Sequence, residues 1–248
     1  DRSLVGSEMC IRDSYITNAP QADVFLVMAR TDPSSTGSNG ISAFLVDATL
    51  DGIRVGDPPK MLGNEGSHAC YVWFENCEVP ADSIVGGQEG RGLKAALRGI
   101  NHARLHVAAT CVGQAIRLIT EMTEYASKRE QFGKRIGEFG QIAAMLADSR
   151  AEMAAGRALC LDCAKQFDAG DQIPFIDIAS AKLFCSEMVS RVADRAVQVM
   201  GGLGYMEDLS DVPRLFRDVR LFRIFEGASQ VQQGNIARSM MKDNESLS

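Results

Sequence analysis

Near Glu89 the apolar residues of this chain stop alternating in twos and begin to recur every three or four positions. A period of two belongs to a sheet with one buried face, and a period near 3.6 to a helix with one buried stripe. One element type cannot satisfy both patterns. The 248 residues therefore divide into a β part and a helical part, each with its own apolar face to cover.

In the first part, Val24 to Arg30, Ile41 to Ala48 and His68 to Pro80 are rich in β-branched and aromatic residues and read as strands. DPSSTGSNG and DGIRVGDPP between them read as turns. In the second part, Leu93, Leu97, Ile100, Arg104, Val107, Cys111, Leu118 and Met122 fall on one face of a helix that runs to about Lys128. Further helices are expected over about Glu138 to Ala169 and Phe175 to Met200. A fourth covers Val212 to Arg220 and resumes from about Gly227 to Met241. DAGDQIP punctuates the end of the second helix, and GGLGY stops the third. The expected class is α+β: a partial antiparallel β-domain over 15–88, then an antiparallel four-helix bundle over 89–248.

A net charge of −6 argues against a nucleic-acid partner, and no run approaches the ~18 apolar residues of a membrane span. Seven cysteines without framework spacing suggest free thiols in a cytoplasmic or matrix-like compartment. Cys160 and Cys163 form a C-x-x-C with no second ligand pair. His102 and His106 stand at i and i+4 without a third ligand, so no metal is expected.

Three features depart from plain packing. Arg104 lies on an apolar stripe, where a charge needs a partner or a ligand. Gly201 and Gly202 end a helix, either as a left-handed cap or as backbone left bare for a ligand. Glu226 stands between Phe225 and Gly227 after a basic run, as an anion at a helix N-terminus or as a desolvated base.

Together these segments resemble the acyl-CoA dehydrogenase family over Tyr15 to Lys242. YITNAPQADVFLVMAR is similar to the family's W-I-T-N and the strand after it. ENCEVPADSIVGGQEGRG is similar to the junction into its helical domain. YASKREQFGKRIGEF, QVMGGLGY and RLFRDVRLFRIFEGASQ resemble Y-x-x-x-R-x-Q-F-G, Q-V-x-G-G-x-G-Y and the R-D…Y-E-G-T segment, in the family's order. The resemblance implies α,β-dehydrogenation of an acyl-CoA thioester with FAD, Glu226 taking the α-proton. It implies an electron-transferring flavoprotein as acceptor and a homodimer or homotetramer. Family members that carry the base on the first helix of the bundle have it one residue before the arginine. That position is Ala103 here, so Glu226 remains.

The resemblance further implies that Arg129, Gln131 and Phe132 contact the FAD of a neighbouring subunit, with Gln198, Gly201, Gly202 and Gln230 along the same dinucleotide. Thr17 would reach the flavin edge, Tyr15 replacing the usual tryptophan, while Arg104 and Gly227 would face the substrate. Ala228 replaces the threonine of E-G-T, and Gly140 stands where many members have Gln. An acyl-CoA oxidase, or a helical assembly module without chemistry, remains the alternative.

The opening residues, Leu4 to Ser14, have no apolar period. Back-translation of Leu4 to Asp13 matches the end of a widely used transposase sequencing adapter, so residues 1–14 are expected to be non-native. They are expected to be disordered or adventitiously packed, with no function for Met9 or Cys10. On this reading the chain is the C-terminal piece of a longer enzyme and inactive alone, its β part exposing unpaired edges.

Overall fold

The computed structural model describes residues 7–170 and 175–245. The chain forms two compact units, residues 1–99 and 100–248.

In the first unit, strands β1 (Ser7–Thr17), β4 (Ile53–Val55) and β5 (Ala69–Val79) make one antiparallel sheet in the order β1-β5-β4. Strands β2 (Val24–Arg30) and β3 (Ile41–Asp47) pair in a second, from Val24 opposite Asp47 to Arg30 opposite Ile41. Strand β5 buries Cys70, Val72 and Phe74, then Cys77 and Val79. Its inward set slips by one at Asn76, which takes a left-handed φ of 51°. The extra residue is a β-bulge, as the pairing confirms: Ile11 opposes Phe74 whereas Met9 opposes Cys77. The bulge keeps Phe74 and Cys77 on the same buried face, against Phe25, Val27, Phe44 and Val46.

Of the two expectations for the opening stretch, disordered or adventitiously packed, the structure shows a packed segment from Ser7 onward, in strand β1; Leu4 to Gly6 lie outside the described residues. Strand β1 covers one edge of β5 and Met9 is 3% exposed. Backbone pairing asks only for an extended chain, so a segment without alternation can still take it. A second register break near Tyr15, at φ 61°, removes what alternation remained. Strand β4 also lies in a segment expected to be a turn.

The helical unit is built on α1 (Gly92–Lys128, whose first residues belong to the β unit), α2 (Gly140–Asp168) and α3 (Phe175–Met200). The short α4 (Gly202–Tyr205), α5 (Val212–Val219) and α6 (Ser229–Glu245) complete it. Between α1 and α2 a hairpin pairs β6 (Glu130–Gln131) with β7 (Lys134–Arg135). Helix α3 runs through the centre: Met188, Val189, Val192, Ala193 and Ala196 are fully buried, with Leu118 and Met122 of α1 in the same core. The stripe of α1 is covered from Arg104 on, whereas Leu97 is 47% exposed. The Gly–Pro punctuation after α2 falls partly on residues 171–174, outside the described residues.

Candidate functional site

The turn between α5 and α6 carries Glu226. A 3-10 segment, Arg220–Arg223, follows α5, and α6 begins at Ser229. Glu226 at φ 53° and Gly227 at φ 88° are consecutive left-handed residues between them. A glutamate pays roughly 1–2 kcal/mol for that conformation, so the surroundings must hold it there.

They do so through both backbone carbonyls. Arg104 Nε on α1 donates to Glu226 O at 3.1 Å. Gln232 Nε2 on α6 donates to Glu226 O at 3.1 Å and to Gly227 O at 3.3 Å. Lys182 Nζ on α3 donates to Gly227 O at 2.8 Å. The flanks are tied as well: Arg223 Nε (2.9 Å) and Ser229 Oγ (2.6 Å) both donate to Glu187 Oε1 on α3. Burial raises the pKa of the Glu187 carboxyl. The Ser229 and Arg223 bonds more than offset this and leave it below the ordinary glutamate range.

The braces engage the backbone and leave the side chain free. Glu226 is half-buried, and among the described residues its carboxylate has no hydrogen bond or ion pair. Arg104 is 8% exposed; its Nη1 donates to Asn101 Oδ1 at 3.0 Å and its guanidinium lies 5.3 Å from the Phe175 ring centre. Burial lowers its pKa and the Glu226 charge raises it. The partner that a charge on the α1 stripe requires is thus the Glu226 carbonyl. Gly227 belongs to the same turn, and Ala228 O caps the start of α6 by accepting from the Val231 and Gln232 N–H groups.

At the other end of α3 a cleft of about 410 Å³ opens. Tyr125, Arg129, Gln131, Phe132, Gly201 and Gly202 are among its lining residues. The hairpin positions one wall: Arg129 N–H donates to Tyr125 O at 2.9 Å, and Phe132 and Gly133 turn the chain at φ 51° and 78°. The Phe132 ring is 93% exposed. The other wall is the end of α3, where Gly201 N–H donates to Val197 O at 2.8 Å. Gly201 then takes φ 57°, ψ −130°, a conformation reserved to glycine. No atom lies within 4 Å of where a Cβ would stand on either glycine, so the pair leaves bare backbone facing open space. Helix stop and open backbone, posed as alternatives by the sequence, are both present.

A guanidinium, a carboxamide, bare amide backbone and an open aromatic face form the donor set that a nucleotide's phosphates and base require. The residues present fit the adenosine-diphosphate end of FAD. Five of the seven residues named for this role on the helical unit meet in the cleft: Arg129, Gln131, Phe132, Gly201 and Gly202. Gln198 and Gln230 are exposed outside its lining, and Thr17 is exposed on β1 in the other unit.

Sequence reasoning missed Lys182, Glu187 and Gln232. Lys182 had a visible signal, a charge on the Ile178, Cys185, Val189, Val192 stripe, the same pattern that singled out Arg104. The two thiols of the C-x-x-C are buried, and Cys160 Sγ faces Cys185 Sγ at 3.7 Å. Among the described residues no three His, Cys, Asp or Glu side chains are grouped to hold a metal, and no helix is long and apolar enough to cross a membrane.

The helical unit thus carries a braced turn with an unpaired carboxylate toward one end of α3 and an open cleft at the other. Residues 13–77 match the acyl-CoA dehydrogenase middle domain and residues 90–241 the acyl-CoA dehydrogenase C-terminal domain. The chain belongs to the acyl-CoA dehydrogenase family. It is 37% identical over 230 residues to a probable short/branched chain specific acyl-CoA dehydrogenase of Dictyostelium discoideum, covering 92% of this chain and 54% of that protein. It is 35% identical over 231 residues to subunit CarC of the caffeyl-CoA reductase–Etf complex of Acetobacterium woodii, covering 93% and 60%. The solved structure of PigA with FAD and proline superposes with a TM-score of 0.90 at 30% identity, covering 95% of this chain and 61% of that one. The chain therefore spans between half and two thirds of these proteins.

Proposed function

We propose that this chain supplies the base and part of the cofactor site of an FAD-dependent acyl-CoA dehydrogenase. Glu226 takes the α-proton of an acyl-CoA thioester. FAD, when bound, supplies the acceptor for the β-hydride. The observation that carries this reading is the Glu226–Gly227 turn, whose backbone is braced from three helices while its carboxylate is unpaired.

A thioester α-proton is weakly acidic, so the base must be free, desolvated and correctly aimed. A carboxylate tied into an ion pair would be held too acidic to serve. Arg104 binds the backbone beside the base instead and leaves the carboxylate itself unpaired. Arg129 and Gln131 would bind the dinucleotide's phosphates, and Phe132 would stack on its adenine. Electrons would leave to an electron-transferring flavoprotein, a partner class supported by the likeness to the Etf-complex subunit. The working protein would be a homo-oligomer in which the cleft of one copy serves the cofactor of another. The residue range 15–88 would belong to the middle domain.

The test is a Glu226→Gln substitution in the protein extended to its relatives' length, which keeps shape and removes the proton acceptor. Turnover of an acyl-CoA with an artificial electron acceptor is expected to fall about 10²–10⁴-fold. Undiminished turnover overturns the assignment.

A further inference from the structure

The most deeply enclosed charge of the helical unit, among the described residues, is the Lys182 ammonium at the centre of the braced turn. Lys182 is completely buried, and among the described residues its ammonium makes a single hydrogen bond, the one to Gly227 O. No carboxylate stands within ion-pair distance of it among the described residues. Burial pushes its pKa below the ordinary lysine value. The charge of Arg104 adds to that, while Cys111, Glu187 and Glu226 oppose it. Excluding water from an ammonium costs several kcal/mol, which a methionine of similar length would avoid. A core lysine with one ligand needs a reason.

Its geometry supplies one. Three donors on three different helices converge on two successive carbonyls: Arg104 of α1, Lys182 of α3 and Gln232 of α6. Arg104 reaches only the Glu226 carbonyl and Lys182 only the Gly227 carbonyl, with Gln232 bridging the two. These are the carbonyls of the two left-handed residues. With Lys182 removed, Gly227 O would keep only the longer 3.3 Å bond from Gln232, and that amide also serves Glu226 O.

We propose that Lys182 is a positioning residue: by holding the Gly227 carbonyl it keeps the Glu226–Gly227 turn left-handed and so sets the direction in which the Glu226 carboxylate points. This rests on the reading of Glu226 as the base, but the clamp itself is a property of the chain and can be measured without turnover.

The experiment compares Lys182→Met with Val189→Ala, a core change on the same helix away from the turn. The first readout is amide hydrogen exchange of residues 224–229 in the 248-residue chain. Lys182→Met is expected to speed exchange there at least tenfold and leave α3 beyond Cys185 protected. Val189→Ala is expected to leave 224–229 unchanged even at an equal loss of thermal stability. The second readout is kinetic, in the protein extended to its relatives' length. Lys182→Met is expected to lower kcat about 10–100-fold with KM changed by less than about threefold, and Val189→Ala to alter neither. Lys182→Gln, which restores an N–H donor, is expected to fall between wild type and Lys182→Met, and it replaces the latter if that variant does not fold. Wild-type exchange at 224–229 in the lysine variants overturns the clamp. Loosening equal to that in Val189→Ala at matched stability does the same. Full turnover in Glu226→Gln overturns the base reading alone, since the exchange result stands independently of it.

Discussion

Gly227 accepts from two of the three donors, Lys182 and Gln232, and it has no tolerated replacement. Its φ is 88°, and an added Cβ would run into Gln232 Nε2 with Arg104 Nη2 at 3.4 Å. The end of a glutamine side chain is ordinarily free to move aside, but Gln232 has no exposed surface and already serves two carbonyls. Gly227→Ala therefore adds a left-handed Cβ penalty to a disturbed buried hydrogen bond. The expected loss is about 2–4 kcal/mol in urea unfolding. A loss below about 0.5 kcal/mol, the range of an unremarkable surface change, would show that the turn adjusts freely. The sequence marked Glu226 and Gly227 through a motif, yet it gave no sight of the brace behind them. Gln232 illustrates why: Gln230 and Gln232 are both polar letters in one helical run, and only the angle at which α6 leaves the turn decides that Gln230 is exposed and Gln232 buried.

At the scale of elements, α3 gives the turn its fixed reference. It offers Lys182 to the centre of the turn and, a little over one helical turn later, Glu187 to both flanks. Replacing Glu187 with Gln removes the charge that Arg223 and Ser229 share, at an expected cost of about 1–2 kcal/mol near neutral pH. Because the folded carboxyl titrates below the unfolded one, the unfolded chain binds more protons in that interval. The stabilisation is thus complete above the ordinary glutamate pKa and is lost as the pH falls through the folded value. Urea midpoints of wild type and Glu187→Gln should differ at pH 7 and converge toward pH 3. A constant gap would place the contribution in packing and not in charge. The helix itself was the most legible element of the chain. Its expected span, Phe175 to Met200, is the observed one, because an unbroken apolar period runs between Pro174 and Gly201 in the sequence. Strand β2 was equally plain. Strands β1 and β4 were not, because pairing against β5 depends on the edges that β5 offers, and no local period announces it.

Across the whole helical unit, α3 also sets a distance. Lys182 marks the base turn and Met200 the cleft, and at ~1.5 Å per residue these stand about 27 Å apart along the helix. One copy thus presents the Glu226 turn toward one end of α3 and the cleft at the other. On the proposed function, two copies arranged so that the cleft of each serves the base of the other would complete both sites. That arrangement makes a prediction which a self-contained site does not. Mixed oligomers of the protein extended to its relatives' length would be formed by refolding Glu226→Gln together with Arg129→Ala. In a mixed pair one composite site carries both lesions, and the other carries neither. If the cofactor is shared, each variant is weak alone, and the mixture recovers roughly a quarter of wild-type turnover, since half of randomly formed pairs are mixed and each has one intact site. If each chain serves its own cofactor, every site in the mixture carries one lesion, and turnover stays at the mean of the two variants.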